Sequence, residues 1–227
     1  MTKYSLKLPM LIEKWDTAGA VEVLQKYYGA RYPVPGEPER TPYTGAWFDG
    51  FDPSGTRSGA PNDFTADDLV SVALLSTPIG NRAAKSLLLD EGLKEEINLL
   101  LAETDRSDRI WDVEEEVEAS WSLWKLETLL VSSKVKGVRV TRASKLIARK
   151  RPHLYPIVDS VVLDLVRPNK LPQGWSFLKA LQVVFQYKTL RSFLKEVRKR
   201  PDYQRMSHYS ESSMFSPGWR ERGMGRR

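Results

Sequence analysis

The residues most able to do chemistry lie in one stretch, VSSKVKGVRVTRASKLIARKRPHLYPIVDSVVLDLV, residues 131–166. Between 134 and 151 it carries Lys134, Lys136, Arg139, Arg142, Lys145, Arg149, Lys150 and Arg151, and no acid. Gly137 sits in a short turn, 134–140, after which a new helix is expected to start near Thr141. A glycine turn that opens a helix leaves free backbone N–H groups at the positive end of the helix dipole, which is a seat for phosphate. Flanking Lys and Arg side chains add an affinity that falls with salt. The same run also fits an ordinary helical hairpin with a solvated basic surface. Beyond it, a proline-bounded extended piece, 152–158, delivers Asp159 to the start of another helix. From the residues alone that carboxylate is first of all a helix N-cap.

These groups need helices to hold them, and the apolar spacing supplies helices throughout. Leu11, Trp15, Ala18, Val21, Leu24 and Tyr28 predict a helix over 10–28. A Pro/Gly-rich stretch, 31–62, carries Tyr43, Trp47, Phe48 and Phe51 and reads as an ordered loop, with a small hairpin as an option. Thr65 followed by Asp68 predicts a capped helix start. Further helices are expected over 81–89, 93–103, 110–131, 175–186 and 188–200. On the long one, Ile110, Val113, Val117, Trp121, Trp124 and Leu129 form a core-facing stripe. From 203 the chain is rich in Ser, Gly and Arg without a period, which predicts a flexible basic tail. The fold class is all-α: an N-terminal helix in 1–30, the aromatic loop in 31–63, a helical domain in 64–202 and the tail in 203–227.

Composition narrows the chemistry. With no cysteine among 227 residues, disulfides, thiolate zinc sites and iron–sulfur clusters are excluded. His153 and His208 are the only histidines, so no metal site and no cofactor are expected. No segment reaches the roughly 20 apolar residues that span a bilayer. The apolar stretch near the start is broken by Lys7, Pro9 and Glu13, which does not read as a secretory signal, so the cytoplasm is the expected compartment. The net charge of +6 is unevenly spread. Residues 103–127 are acidic, with Glu114, Glu115, Glu116 and Glu118, whereas 195–200 and the tail (Arg205, Arg220, Arg222, Arg226, Arg227) are basic. One face built for a polyanion follows, with double-stranded DNA as the expected partner and a monomer as the expected state. Phosphate-loop, nucleophile-elbow and dinucleotide fingerprints are lacking.

The order of residues in the stretch resembles the helix-hairpin-helix base-excision DNA glycosylase superfamily. The match runs through Lys136, Gly137, Val138, Arg139, Val140, Thr141, Arg142 and Ala143, then Pro156, Ile157, Val158, Asp159, Ser160, Val161 and Val162, about 30 of 227 residues. Outside it, Trp-Phe-Asp-Gly-Phe-Asp (47–52), Asn-Asp-Phe-Thr-Ala-Asp-Asp-Leu (62–69) and Ala-Ser-Lys-Leu-Ile-Ala-Arg-Lys-Arg-Pro (143–152) resemble a domain family common in actinobacteria, a likeness that carries no function.

The superfamily resemblance implies a helical glycosylase-like fold in which Asp159 is catalytic. Lys134, Lys136, Gly137, Arg139, Thr141, Arg142 and Lys145 would then meet DNA. A flipped base needs an aromatic pocket, for which Tyr43, Trp47, Phe48, Asp49 and Asp52 are the candidates, with Phe51 beside them and Arg57, Asn62 and Asp63 as further hydrogen-bonding groups. Thr141 stands where bifunctional members carry a Schiff-base lysine, which implies a monofunctional enzyme that excises a damaged or modified base and leaves an abasic site. Lys145, one helical turn on, is the candidate for a displaced amine. The substrate would come from repair or, as a defence activity, from hypermodified phage DNA, and the protein would associate with the nucleoid. Arg139 replaces the second hairpin glycine, where a positive φ would strain it. That departure favours the alternative of a non-catalytic helix-hairpin-helix DNA-binding protein. An RNA-binding or partner-binding helical protein is the third reading.

Overall fold

The computed structural model describes residues 14, 16–27, 44–57, 59–113, 120–160, 178–180, 182 and 188–201. The chain is all-helical, and no strand occurs among the described residues. The elements are α1 (Thr17–Tyr27), a 3-10 turn (Thr44–Trp47), α2 (Ala66–Leu74), α3 (Asn81–Leu89), α4 (Glu91–Ala102), α5 (Ser122–Val131), α6 (Val140–Lys150) and α7 (Lys188–Lys199). No helix among the described residues is long and apolar enough to cross a membrane.

Local chemistry sets the helix ends. At α2 the expected box forms reciprocally: the Thr65 hydroxyl accepts from Asp68 N–H, and the Asp68 carboxylate accepts from Thr65 N–H at 2.9 Å. Asp90 closes α3 and opens α4, its carboxylate accepting from Leu93 N–H at 3.1 Å. One extended residue thus turns the chain between two helices. Asp16 accepts from Gly19 N–H at 2.9 Å, which fixes the start of α1 well after residue 10.

The main core is built from helical repeats on each element: Leu69 and Val72, Ala83 and Leu87, Leu93, Ile97 and Leu101, Leu123, Leu126 and Leu130, then Ala143, Leu146 and Ile147. A second, smaller cluster joins Val21 of α1 to Leu190, Phe193 and Val197 of α7.

Two expectations change. Of the helix predicted over 110–131, the described residues 110–113, 120 and 121 are not helical and α5 is, because the described chain before it is committed elsewhere. Ile110 N–H donates to the His153 carbonyl at 3.0 Å, Asp112 N–H closes a turn on the Arg109 carbonyl, and Trp121 is extended. The stripe still faces inward: Ile110 is buried, Val113, Trp121 and Trp124 pack on the core, and the Trp121 ring stacks on Tyr155 with centroids 6.2 Å apart. The apolar spacing marks buried positions even where the described residues 110–113 are not helical, because they and α5 feed one core. The optional hairpin within 31–62 is also absent from its described part, where the 3-10 turn runs into successive turns. Tyr43, Val117 and the tail 203–227 lie outside the described residues, and of the helix expected over 175–186 the described residues 178–180 and 182 are helical.

Candidate active site and nucleic-acid interface

Helices α5 and α6 pack together and are joined by a double tight turn. Val135 N–H donates to the Ser132 carbonyl and Val138 N–H to the Val135 carbonyl, which buries both valines and leaves the polar residues outside. Gly137 has φ +95°, a conformation that L side chains rarely adopt, although a Cβ there would meet nothing within 4 Å. Backbone conformation, not crowding, therefore requires the glycine. Arg139 is extended (φ −117°, ψ 172°), so the strain expected at this position does not arise. No side chain caps the start of α6. Lys136 and Arg139 are exposed beside this open end. Lys134 is exposed and ion-paired with Glu96 at 2.7 Å. Arg142 braces the turn, donating to the Pro78 carbonyl at 2.9 Å and the Gly137 carbonyl at 3.2 Å. Thr141 is partly buried in the first turn of α6.

Asp159 is held against the middle of the same helix. Ser144, buried on α6, accepts from Val158 N–H at 3.0 Å, and its hydroxyl lies 3.1 Å from both the Val158 and Thr141 carbonyls. This clamp fixes the extended segment one residue before Asp159, which precedes helical Ser160. Lys145 Nζ lies 3.7 Å from Asp159 Oδ2; the lysine side chain is 5% exposed and the aspartate side chain 25%. Lys145 also donates to Thr77 Oγ1 at 2.6 Å and to the Leu75 carbonyl at 3.2 Å. One carbonyl earlier, Leu74 accepts from Thr44 Oγ1 at 2.9 Å. The 3-10 turn of the aromatic loop and the Lys145–Asp159 pair therefore share the C-terminal end of α2. Lys145, expected on the DNA surface, is inside.

So is the end of the basic run. Arg149, Lys150 and Arg151 are buried, because α6 is enclosed on all sides over its last two turns. Their donors go to one carboxylate, Asp68, and otherwise chiefly to backbone carbonyls. Arg149 donates to Asp68 Oδ1 at 3.1 Å and to the carbonyls of Phe48, Asp49 and Phe51, with its guanidinium 6.0 Å from the Phe48 ring centre. Lys150 pairs with Asp68 Oδ2 at 2.6 Å and donates to the Ala60 carbonyl at 3.0 Å. Arg151 donates to Asn62 Oδ1 at 2.6 Å, to Thr104 and to the carbonyls of Pro61 and Leu101. The stretches 47–52, 62–69 and 143–152 thus form one buried polar network. Burial alone would raise the Asp68 carboxyl, but Lys150, the Thr65 N–H and Arg149 outweigh it and hold it below the usual carboxylate range.

This network decides the expected base pocket. Phe48 is buried in the main core, and Trp47, Asp49, Phe51 and Asp52 are partly buried. The Asp49 carbonyl is taken by Arg149 and Arg57, and Asp52 Oδ1 accepts from Arg57 N–H at 3.2 Å. Burial, together with the charges of Arg149 and Arg106, pushes Arg57 down to about 10. Asn62 serves Arg151. Trp47 closes the 3-10 turn whose first residue, Thr44, bonds the Leu74 carbonyl. Sequence reasoning passed over Ser144, Thr77 and Thr44, whose distant partners lie 14, 68 and 30 residues away and leave no local signal. Asp68 was legible only as a cap. No group of three or more His, Asp or Glu able to hold a metal ion occurs among the described residues.

The chain matches a family of unknown function (DUF6308) over residues 20–206 and belongs to that family. All three stretches of the buried network and the hairpin with Asp159 fall within the matched span. No curated protein and no solved structure matches the chain.

Proposed function

We propose that this DUF6308 chain is a monofunctional DNA glycosylase, in which the α5–α6 hairpin grips a backbone phosphate and Asp159 serves the sugar of the nucleotide whose base is excised. The observation that carries this reading is that the open start of α6 and the Asp159 carboxylate share one helix. The uncapped start of α6 follows the Gly137 turn, and Asp159 is clamped to α6 through Ser144 and Lys145. From Val140 to Lys145 the helix rises about 7.5 Å, so a strand seated at the helix start brings a neighbouring sugar within reach of Asp159.

Loss of the base passes through an oxocarbenium-like state at the sugar carbon. The Asp159 carboxylate stabilises that positive charge and orients the attacking water. The flipped base would lie toward the 3-10 turn, with Trp47 as its aromatic face. Thr141, in the place of a Schiff-base lysine, fits base release without strand cleavage. Double-stranded DNA is the partner of such an enzyme and the nucleoid its place of work.

The test is base release by the purified protein from unmodified genomic DNA, alkylated DNA and phage DNA with modified cytosines. Abasic sites are read by heat or alkali cleavage, and Asp159→Asn is the control. Abasic sites from the wild type, absent with Asp159→Asn, are expected, and the responsive DNA names the substrate as damage or phage modification. Silence on all three, with salt-sensitive DNA binding retained, would replace this reading by a non-catalytic DNA-binding hairpin. One observation favours that second reading: Asp159 already has a cationic partner.

A further inference from the structure

Lys145 stands out among the buried groups because two structural devices converge on it. The chain leaves α2 through Ser76, whose φ of +56° is rare for a residue with a side chain. That left-handed residue lies between Leu75 and Thr77, and it brings the Leu75 carbonyl and the Thr77 hydroxyl onto the same ammonium. The hydroxyl donates in turn to the Leu75 carbonyl at 3.0 Å. Two of the three ammonium protons are thereby directed to protein oxygens. Asp159 Oδ2 stands 3.7 Å from the same nitrogen, within ion-pair range and beyond a direct hydrogen bond.

A lysine that attacks a sugar carbon needs an accessible lone pair. Lys145 is 5% exposed, donates to two protein acceptors and stands 3.7 Å from a carboxylate oxygen. Asp159, at 25% exposed, is the member of the pair that a substrate can touch. We propose that Lys145 is a positioning residue: anchored on Leu75 and Thr77, it fixes the Asp159 carboxylate and does not itself form a covalent bond to the sugar. This inference rests on the glycosylase reading and adds to the absence of a lysine at Thr141 that the nearby Lys145 amine is locked in place.

The experiment compares the full-length wild type with Lys145→Met, Lys145→Arg, Thr77→Val and Asp159→Asn. Base release, borohydride trapping on DNA with a preformed abasic site, and the Lys145 ammonium resonance in 15N-labelled protein are measured. Lys145→Met is expected to lower kcat about a hundredfold, the scale of a misplaced catalytic group, with KM little changed. Lys145→Arg should recover part of the loss and Thr77→Val should cost about tenfold, again as misplacement of Asp159. The wild type should give no trapped adduct, and its ammonium resonance should shift in both Thr77→Val and Asp159→Asn.

A trapped adduct that disappears with Lys145→Met would make Lys145 the nucleophile and overturn the proposal. Wild-type kcat in Lys145→Met, or an ammonium resonance unmoved by Asp159→Asn, would overturn it too. Absence of base release by the wild type would defeat the glycosylase reading and the catalytic role of the pair with it. The resonance would still decide whether the Thr77–Lys145–Asp159 linkage exists.

Discussion

Asp68 faces Arg149 and Lys150 with a single carboxylate, and it is 1% exposed. Removing one member of such a buried pair strands charges that water cannot reach, which costs about 3–5 kcal/mol. Asp68→Asn is therefore expected to lower the unfolding free energy in urea by that amount. It should also loosen the aromatic loop, whose Phe48, Asp49 and Phe51 carbonyls depend on the placement of Arg149. The pH dependence has a definite sign. The Asp68 carboxyl is held low in the fold, so it binds its proton less readily than in the unfolded chain. The stability it contributes is complete above the unfolded value near 3.9 and is lost as pH falls through the lower folded value. Acid titration of the wild type should show that loss, and Asp68→Asn should lack it.

The hairpin is the element on which the DNA reading depends. Its turn works because one residue adopts positive φ while the next apolar positions, Val135 and Val138, sink into the core. Gly137→Ala meets open space, so its cost is conformational alone, about 1–2 kcal/mol for an L residue forced left-handed. The midpoint in urea should fall accordingly, and DNA affinity should fall with it if the turn seats a phosphate. Retained affinity in a destabilised Gly137→Ala would separate the turn from binding. By contrast, α6 as a whole is a structural beam. Its middle carries Ser144 and Lys145 toward Asp159, and its end carries Arg149 and Lys150 into the buried network.

For the whole molecule, burial redistributes charge. Of the cations between 134 and 151, Lys145, Arg149, Lys150 and Arg151 are internal and Lys134 pairs with Glu96. Lys136 and Arg139 remain as exposed cations at the hairpin. Each phosphate contact contributes about 0.9 to the slope of log K against log salt. Lys136→Ala with Arg139→Ala should thus make the slope for duplex DNA shallower by about 2, measured by fluorescence anisotropy at several salt concentrations. An unchanged slope would move the DNA surface elsewhere, for instance to the exposed Lys195 and Lys199 of α7 and Arg200 just beyond it.

The sequence by itself determined the features that act over a few residues. Helix starts and ends at Thr65, 81–89 and 188–199 follow from capping groups and apolar period, and the Gly137 turn follows from the one residue type suited to its φ. The inward face of Trp121 and Trp124 follows from the same period. What only the tertiary structure decided is where charge resides. Arg149, Lys150 and Arg151 look like a surface run because their acceptors are chiefly backbone carbonyls, which every residue carries and no sequence pattern marks. The Ser144 clamp and the Leu75–Thr77 anchor of Lys145 likewise join segments far apart in the chain. Such pairings follow from how the helices pack, since a hydrogen bond across 70 residues has no local propensity to reveal it.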